Sequence, residues 1–133
     1  MTDRDRWWMT ATVWMEARGE SRQGKLAVAY NILNRLRAKR WGRTVGEVVL
    51  APWQYSCWNT DSPTRKALAR VDELAGSWID SAEAVAFATT GQKPDPTDGA
   101  LHYYNPAVAS PSWDKPQYRR VTIGNHVFVR DVP

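Results

Sequence analysis

The sequence predicts an α+β fold that is mainly helical, with four or five helices and a small antiparallel sheet near the C-terminus. Apolar residues recur at helical spacing along the N-terminal half, which favours amphipathic helices. Near the C-terminus, Gly124-Asn125 separates two strand-like runs and is a signal for a two-residue hairpin turn. The 133 residues contain no repeat and no long linker. We therefore expect a single domain over residues 1–133.

The first helix is expected over residues 5–18 and is apolar on almost every side. Such a helix is usually central and buried. Glu16 lies in its last turn, and Gly19 is expected to end the helix in the left-handed conformation. One apolar stripe consists of Trp7, Trp8, Ala11, Trp14 and Met15, and Met9, Thr12 and Val13 lie on the other side with Glu16.

The second helix is expected over about residues 22–39, with Ser21 as its N-cap. Asn31 and Asn34 interrupt its apolar side. We interpret both as surface or helix-packing amides rather than as cleft residues. The basic residues of this region, Arg35 among them, are spread out, and most are interpreted as solvated helix faces.

Capping signals open three further helices. Thr44, with a Glu three residues later, has the capping-box form and starts a short helix that ends before a proline. Ser62 followed by proline starts a helix that reaches about Ala75. A last helix is expected over about residues 80–90. After a Pro/Asp/Gly-rich loop, the strand candidates are residues 101–104, 118–123 and 126–130.

An aromatic segment over residues 52–59 differs from an ordinary solvated loop. Its sequence, PWQYSCWN, mixes aromatic and hydrogen-bonding residues without helical periodicity. We interpret it as one wall of a pocket. The chain contains eight tryptophans, and filling the core accounts for more than half of them. The large rigid indole also suits stacking on sugars or bases.

The charge balance and the cysteine count limit the partners. The formal net charge is +4, which favours anionic partners such as nucleic acid, an acidic membrane surface or the bacterial wall. Cys57 is the single cysteine, so neither an intrachain disulfide nor a cysteine-based zinc motif is expected. The N-terminus lacks the apolar region of a signal peptide, and the chain lacks a stretch of about 18 apolar residues. We expect synthesis in a cytoplasm without such a signal.

Glu16 is the first candidate for chemistry. A charged glutamate is rarely placed on an apolar helix face, because burial disfavours the ionised form. Burial therefore raises the pKa of the carboxyl group toward the value that a general acid needs near neutral pH. The equally weighted alternative is that Glu16 points outward and pairs with Arg18 or Arg22.

Glycoside cleavage normally uses two carboxyl groups. Glu20 is the obvious second one, although a glycine intervenes, whereas Asp61, Asp95 and Asp98 are interpreted as turn formers. One carboxyl group is sufficient if a hydroxyl of the substrate itself attacks the anomeric carbon. The acid then protonates the leaving oxygen and afterwards removes the proton of that hydroxyl.

Other chemistries find less support. Metal hydrolysis requires clustered ligands, and the two histidines, His102 and His126, lie on separate predicted strands. No pattern marks Cys57 as a nucleophile with a histidine, and phosphate-binding glycine loops are absent. We therefore predict no metal and no cofactor.

Several short motifs occur in one order over about residues 11–130. They are EARGE at 16–20, Gly24, AVA at 27–29, ILNR at 32–35, QYS at 54–56, DPTDGA at 95–100, YYNP at 103–106 and IGNHVF at 123–128. Together they resemble the cell-wall hydrolase family typified by the spore-cortex-lytic enzyme SleB. The chain departs from the family pattern at Asp98, where glycine is usual, and at Trp14-Met15, where a small residue is common.

The resemblance implies a lysozyme-like catalytic domain that acts on peptidoglycan. It assigns the catalytic acid to the first glutamate of EARGE, which is Glu16. Family members studied as lytic transglycosylases cleave the MurNAc–GlcNAc β-1,4 bond and leave a 1,6-anhydro sugar. Glu20 is expected to support the site by capping or orientation. The candidate substrate-binding residues are Glu20, Gln54, Tyr55, Ser56, Tyr103, Tyr104 and Asn105.

These observations lead to the hypothesis of a peptidoglycan lytic transglycosylase that serves as a phage endolysin. We expect a monomer that binds glycan strands rather than nucleic acid and acts on the cell wall or periplasm after holin-dependent release. The alternatives are a hydrolytic muramidase of a bacterial host, exported by another route, an amidase or peptidase acting on the stem peptide, and a non-catalytic module that binds wall glycan or single-stranded nucleic acid.

Overall fold

The computed structural model describes all residues 1–133 and contains five α-helices and a three-stranded antiparallel sheet. The prediction of a mainly helical α+β fold is therefore confirmed. No helix combines the length and the apolar character that crossing a membrane requires. The elements are α1 (Asp3–Glu16), α2 (Arg22–Ala38), α3 (Val45–Leu50), a single 3-10 turn (Ser56–Trp58), α4 (Pro63–Leu68), α5 (Gly76–Thr90), β1 (His102–Tyr104), β2 (Arg120–Ile123) and β3 (His126–Val129).

Helix α1 is the centre of the fold, as its apolar surface predicts. Every residue from position 9 to position 15 is buried, and α1 packs against all four other helices. The predicted stop at Gly19 is wrong. The helix ends at Glu16, and Gly19 does not adopt a positive φ. A left-handed residue is not needed, because the amide of Glu20 bonds to the carbonyl of Ala17 at 3.1 Å and turns the chain there.

The predicted N-caps of α2, α3 and α4 are confirmed, although one capping box is incomplete. Ser21, Thr44 and Ser62 each accept a hydrogen bond from a backbone N–H of the first turn. The carboxylate of Glu47, however, accepts the N–H of Arg43 at 2.8 Å. That residue precedes the cap, so Glu47 does not complete the box on Thr44 itself.

The region between α4 and α5 differs from the prediction. Helix α4 ends at Leu68 and not near Ala75, and α5 begins at Gly76 and not near residue 80. Tight turns close the chain after α4. Trp78, in the first turn of α5, is buried in the core, so burial of its indole favours an earlier helix start.

Of the two interpretations given for Asn31 and Asn34, surface or packing amides, the structure supports packing amides, since Asn31 is buried and Asn34 is partly buried. The amide nitrogen of Asn31 donates to the carbonyl of Ala100 at 3.2 Å, and its oxygen accepts from the Tyr55 hydroxyl at 2.6 Å. The amide of Asn34 donates to Asp95 at 2.9 Å. Both side chains therefore hold the loop after α5 against α2, and Asn31 also fixes the aromatic segment.

The sheet has the strand order β1-β3-β2, with the predicted hairpin between β2 and β3. Gly124 provides the positive φ of 59° that the turn requires. Strand β3 is central and wholly buried. Tyr103 pairs with Phe128 across the ladder. The first three residues of the YYNP motif line the same cavity as Glu16 at the end of α1.

Candidate active site

A cavity of about 380 Å³ lies over Glu16. One of its walls is the aromatic segment that follows α3, and the other is formed by β1 and the turn after it. Every predicted site residue except Glu20 lines this cavity. The lining consists of Glu16, Arg35, Trp53, Gln54, Tyr55, Ser56, Tyr103, Tyr104, Asn105, Val108, Ala109 and His126.

A second cavity of about 400 Å³ meets the first at Glu16 and Ser56, which line both. Its other walls come from the end of α1 and from the segment that leads into α4. Asp61 is the other carboxylate that lines it. Glu16 therefore lies between two open spaces, an arrangement that suits a linear polymer bound on both sides of the reacting bond.

The alternative in which Glu16 pairs outward with Arg18 or Arg22 is wrong. Glu16 forms no ion pair within 4 Å. The guanidinium group of Arg18 instead lies over the ring of Trp14, 4.2 Å from its centroid. The half-buried Glu16 side chain thus faces the cleft.

Burial raises the pKa of Glu16 above its ordinary value of 4.5, because desolvation penalises the ionised form. The Cys57 thiol and amide and the Tyr103 hydroxyl oppose this shift, and so does the positive charge of Arg35. A carboxyl group of this kind holds its proton at higher pH than an exposed one while retaining groups that stabilise its anion. Both properties suit a residue that gives up a proton and takes it back.

Arg35 is a buried cation without a carboxylate partner. It is 4% exposed, and its guanidinium donates to the carbonyl of Leu101 and to the side-chain oxygen of Gln54, each at 2.7 Å. Arg35 is therefore an exception to the interpretation of most of these basic residues as solvated helix faces. The sequence feature that could have indicated burial of Arg35 is its position one turn after Asn31, on the buried side of α2.

The cleft tyrosines differ in the freedom of their hydroxyl groups. The hydroxyl of Tyr55 donates to Asn31, and that of Tyr104 donates to Asp114 at 2.7 Å. Burial and the nearby Glu16 carboxylate raise the pKa of Tyr103 well above its ordinary value. All three phenols therefore stay protonated, and Tyr55 and Tyr104 already use their hydroxyl hydrogens within the protein.

Ser56 and Asn105 each present to the cleft a polar group that has no partner within the protein. The hydroxyl of Ser56 forms no internal hydrogen bond, and Asn105 uses only its side-chain oxygen, which accepts the N–H of Ala107 at 2.9 Å. The amide nitrogen of Asn105 is thus free. Since sugars present hydroxyl and acetamido groups, these two side chains can bind a glycan directly.

Glu20 lies behind the cleft and does not line it. Its carboxylate accepts two hydrogen bonds from Asn125 in the hairpin turn, and one oxygen lies 3.7 Å from Nδ1 of His126. His126 does line the cavity. Burial lowers the pKa of His126, and the neighbouring Glu20 opposes that shift. From the sequence, the histidines were considered as metal ligands or as a partner of Cys57, and His126 was not predicted as a cleft residue.

Two of the aspartates interpreted as turn formers hold the loop after α5. The carboxylate of Asp95 accepts the backbone N–H groups of Thr97 and Gly99 at 2.8 and 3.0 Å. Asp98 adopts a φ of 56°, the left-handed region that favours the glycine usual in the family. Its side chain pairs with Arg130 at 2.6 Å. This departure from the family pattern therefore lies outside the lining of the cavity over Glu16.

The thiol of Cys57 is buried beside Glu16. Burial and the Glu16 carboxylate both raise its pKa, so the thiol remains protonated and is a poor nucleophile at neutral pH. No group of three or more His, Cys, Asp and Glu side chains is arranged to hold a metal ion.

Comparison with known proteins shows the family. The profile of the Cell Wall Hydrolase family matches residues 19–129. The chain belongs to this family. The resemblance recognised in the sequence motifs is therefore confirmed, as is the prediction of an enzyme. The matched region begins after Glu16, so the role of that residue does not come from the profile.

Curated relatives of this cell wall hydrolase are spore cortex-lytic enzymes. The protein of Halalkalibacterium halodurans is 36% identical over 129 residues, which cover 96% of the chain and 35% of the relative. The Bacillus subtilis enzyme is 34% identical over 122 residues, which cover 90% of the chain and 35% of the relative. The chain thus spans about a third of the length of these relatives.

Solved structures share the fold of this cell wall hydrolase. The catalytic domain of the germination-specific lytic transglycosylase SleB from Bacillus anthracis superposes with a TM-score of 0.75 at 29% identity, covering 98% of this chain and 97% of that one. The catalytic domain of Bacillus cereus SleB gives a TM-score of 0.76 at 29% identity, covering 97% and 91%.

Proposed function

We propose that this cell wall hydrolase is a lytic transglycosylase that cleaves the MurNAc–GlcNAc β-1,4 bond of peptidoglycan, with Glu16 as general acid and then base. The observation that carries the proposal is the position of Glu16. It is an unpaired carboxyl group where two cavities meet, with a pKa raised by burial. The printed description of the Bacillus anthracis relative as a lytic transglycosylase supports the same reaction.

In the first step, the protonated Glu16 donates its proton to the glycosidic oxygen. The bond between that oxygen and the anomeric carbon of MurNAc breaks, and the GlcNAc-terminated chain leaves as an alcohol. Positive charge develops at the anomeric carbon while Glu16 becomes a carboxylate. The buried guanidinium of Arg35 favours this ionised form of Glu16.

In the second step, the C6 hydroxyl of the same MurNAc attacks its own anomeric carbon and closes the 1,6-anhydro ring. The Glu16 carboxylate takes the hydroxyl proton and returns to its starting state. Water is not consumed, and a second carboxylate is not needed to activate it. A mechanism with one carboxylate fits the two cavities, because Asp61, an exposed residue of the second cavity, is the one carboxylate besides Glu16 that lines them.

Mass spectrometry of digested peptidoglycan tests the proposal. The expected products are muropeptides that end in 1,6-anhydro-MurNAc. Reducing MurNAc ends indicate hydrolysis instead and contradict the transglycosylase mechanism. Release of free stem peptides without glycan cleavage contradicts both reactions and supports an amidase or peptidase.

The biological setting stays a prediction from the sequence. If the protein is a phage endolysin released by a holin, bacteria that express it should lyse only when the holin is also present. The optical density of the culture measures this lysis. The formal net charge of +4 favours accumulation on anionic envelope polymers. That attraction weakens as salt screens it.

A further inference from the structure

Trp53 differs from every other tryptophan of the chain. Its side chain is 99% exposed, whereas each of the other seven indole rings packs against at least one aromatic neighbour. Trp53 forms neither an aromatic contact nor a side-chain hydrogen bond. The folded protein alone therefore gains nothing from an indole at this position, since its large apolar surface remains in water.

The backbone of Trp53 is also unusual. Its φ of 66° lies in the left-handed region, which a bulky side chain rarely adopts. Such outliers cluster at ligand-binding positions, where the geometry serves the ligand. Trp53 lies between Pro52 and Gln54, so its left-handed backbone turns the chain where the aromatic segment begins to form the cavity wall.

Trp53 lines the same cavity as Glu16. Val108, in the turn after β1, lines that cavity as well and is 81% exposed. The two walls thus each contribute one large exposed apolar side chain. Polar groups line the same cavity, notably the free hydroxyl of Ser56 and the free amide of Asn105. Apolar surface combined with a few hydrogen-bonding groups is the pattern of a small-ligand site.

We propose that Trp53 is a glycan-binding residue whose indole stacks on the face of a pyranose ring of the bound strand. The inference rests on the proposed function, which places a glycan in this cavity. In β-1,4-linked sugars the substituents are equatorial, so each ring presents flat faces of C–H groups. An indole covers such a face and loses its contact with water, while Ser56 and Asn105 are free to bind the polar edge of the ring.

The test uses protein carrying Glu16→Gln, in which cleavage is expected to be too slow to consume the ligand during the titration. Calorimetric titration measures binding of peptide-free glycan strands, prepared from peptidoglycan with an amidase, and separately of the free stem peptide. Trp53→Ala is expected to weaken glycan binding by about tenfold, the scale of one aromatic stacking contact. Trp53→Phe is expected to recover most of the affinity, because a phenyl ring still stacks. Leu74→Ala removes an 85% exposed side chain that lines none of these cavities and is the matched control.

Equal glycan affinity of the Glu16→Gln protein and its Trp53→Ala derivative would overturn the proposal. So would a loss that appears only with the stem peptide, or an equal loss in the Leu74→Ala control. The outcome is separable from the reaction chemistry. If digestion of peptidoglycan yields no anhydro ends but Trp53→Ala still weakens glycan binding, stacking is supported and the proposed reaction is wrong. If anhydro ends appear and Trp53→Ala binds normally, stacking is wrong and the reaction stands.

Discussion

The carboxylate of Glu20 accepts two hydrogen bonds from Asn125, one from the backbone N–H and one from the side-chain amide, both at 2.8 Å. The two residues are 105 positions apart in the chain. A Cβ atom on Gly124 would lie 2.5 Å from an oxygen of the same carboxylate, so a side chain there would displace Glu20 from Asn125, and the φ of 59° also favours glycine. The contact joins the segment between α1 and α2 to the hairpin that carries His126 into the cleft.

Replacement of Glu20 by Ala should lower the free energy of unfolding by about 1–2 kcal/mol, because it removes two hydrogen bonds to a charged carboxylate, although water can reach the exposed Asn125. Asn125→Ala removes only the side-chain bond and should cost less. Urea denaturation measures both. If Glu20 also contacts the substrate, as the sequence predicts, Glu20→Ala should raise KM at temperatures where the protein is folded. A variant with an unchanged KM and reduced stability would assign Glu20 to the hairpin alone.

Glu16→Gln should reduce glycan cleavage by about 10²–10⁴-fold, since an amide cannot donate the proton that the leaving oxygen requires. The release of soluble muropeptides measures the rate. Glu83→Gln, on the exposed side of α5, makes the same chemical change away from the cleft and should retain full activity. Wild-type activity in the Glu16→Gln protein would remove Glu16 from the mechanism.

The difference in stability between the wild type and the Glu16→Gln variant should depend on pH. Because burial raises the folded-state pKa of Glu16 above 4.5, the protonated carboxyl favours the folded state. That contribution is complete below the unfolded pKa and is lost as pH rises through the folded pKa. The glutamine of Glu16→Gln cannot ionise, so the variant does not lose this contribution as pH rises. Its stability relative to the wild type should therefore be highest at neutral and alkaline pH and should decrease toward pH 4.5. Urea denaturation across this range measures the trend, and a constant difference would contradict it.

Arg35→Gln should move the alkaline limb of the pH profile of kcat/KM to higher pH. The positive charge of Arg35 lowers the pKa of Glu16; without it, the acid keeps its proton at higher pH. The variant should also lose about 1–3 kcal/mol of stability, because the carbonyl of Leu101 loses its donor. Arg35→Lys retains the charge and is the control for the pH effect. An alkaline limb that stays in place in Arg35→Gln would show that the charge of Arg35 does not act on the acid.

Cys57→Ala should remain within about tenfold of wild-type activity, since the rate depends only moderately on the pKa of the acid that Cys57 adjoins. A thiol hydrolase would instead lose activity altogether. The buried thiol should also react slowly with a disulfide reagent in the folded protein and rapidly after unfolding, because its pKa is raised and its surface is covered. Rapid labelling of the folded protein would contradict this description of the thiol.

The helix caps, the hairpin and the buried character of α1 were predictable because each depends on residues close together in the chain. Ser21, Ser62 and Gly124 act through hydrogen bonds or backbone angles that span a few positions. The boundaries between α4 and α5 were not predictable in the same way. There, burial of Trp78 against the rest of the core decides where the helix begins.

Local sequence and motif order were sufficient to identify the α+β class, the cell wall hydrolase family and Glu16 as the candidate acid. Tertiary structure alone decided the surroundings of that acid. Arg35, Cys57 and His126 come from three separate elements, and their proximity to the Glu16 cleft depends on how α2, the aromatic segment and the sheet pack around α1. The same packing turned Glu20 away from the cleft toward Asn125. Contacts between residues so far apart in sequence follow from the burial of shared surfaces, which no local pattern records.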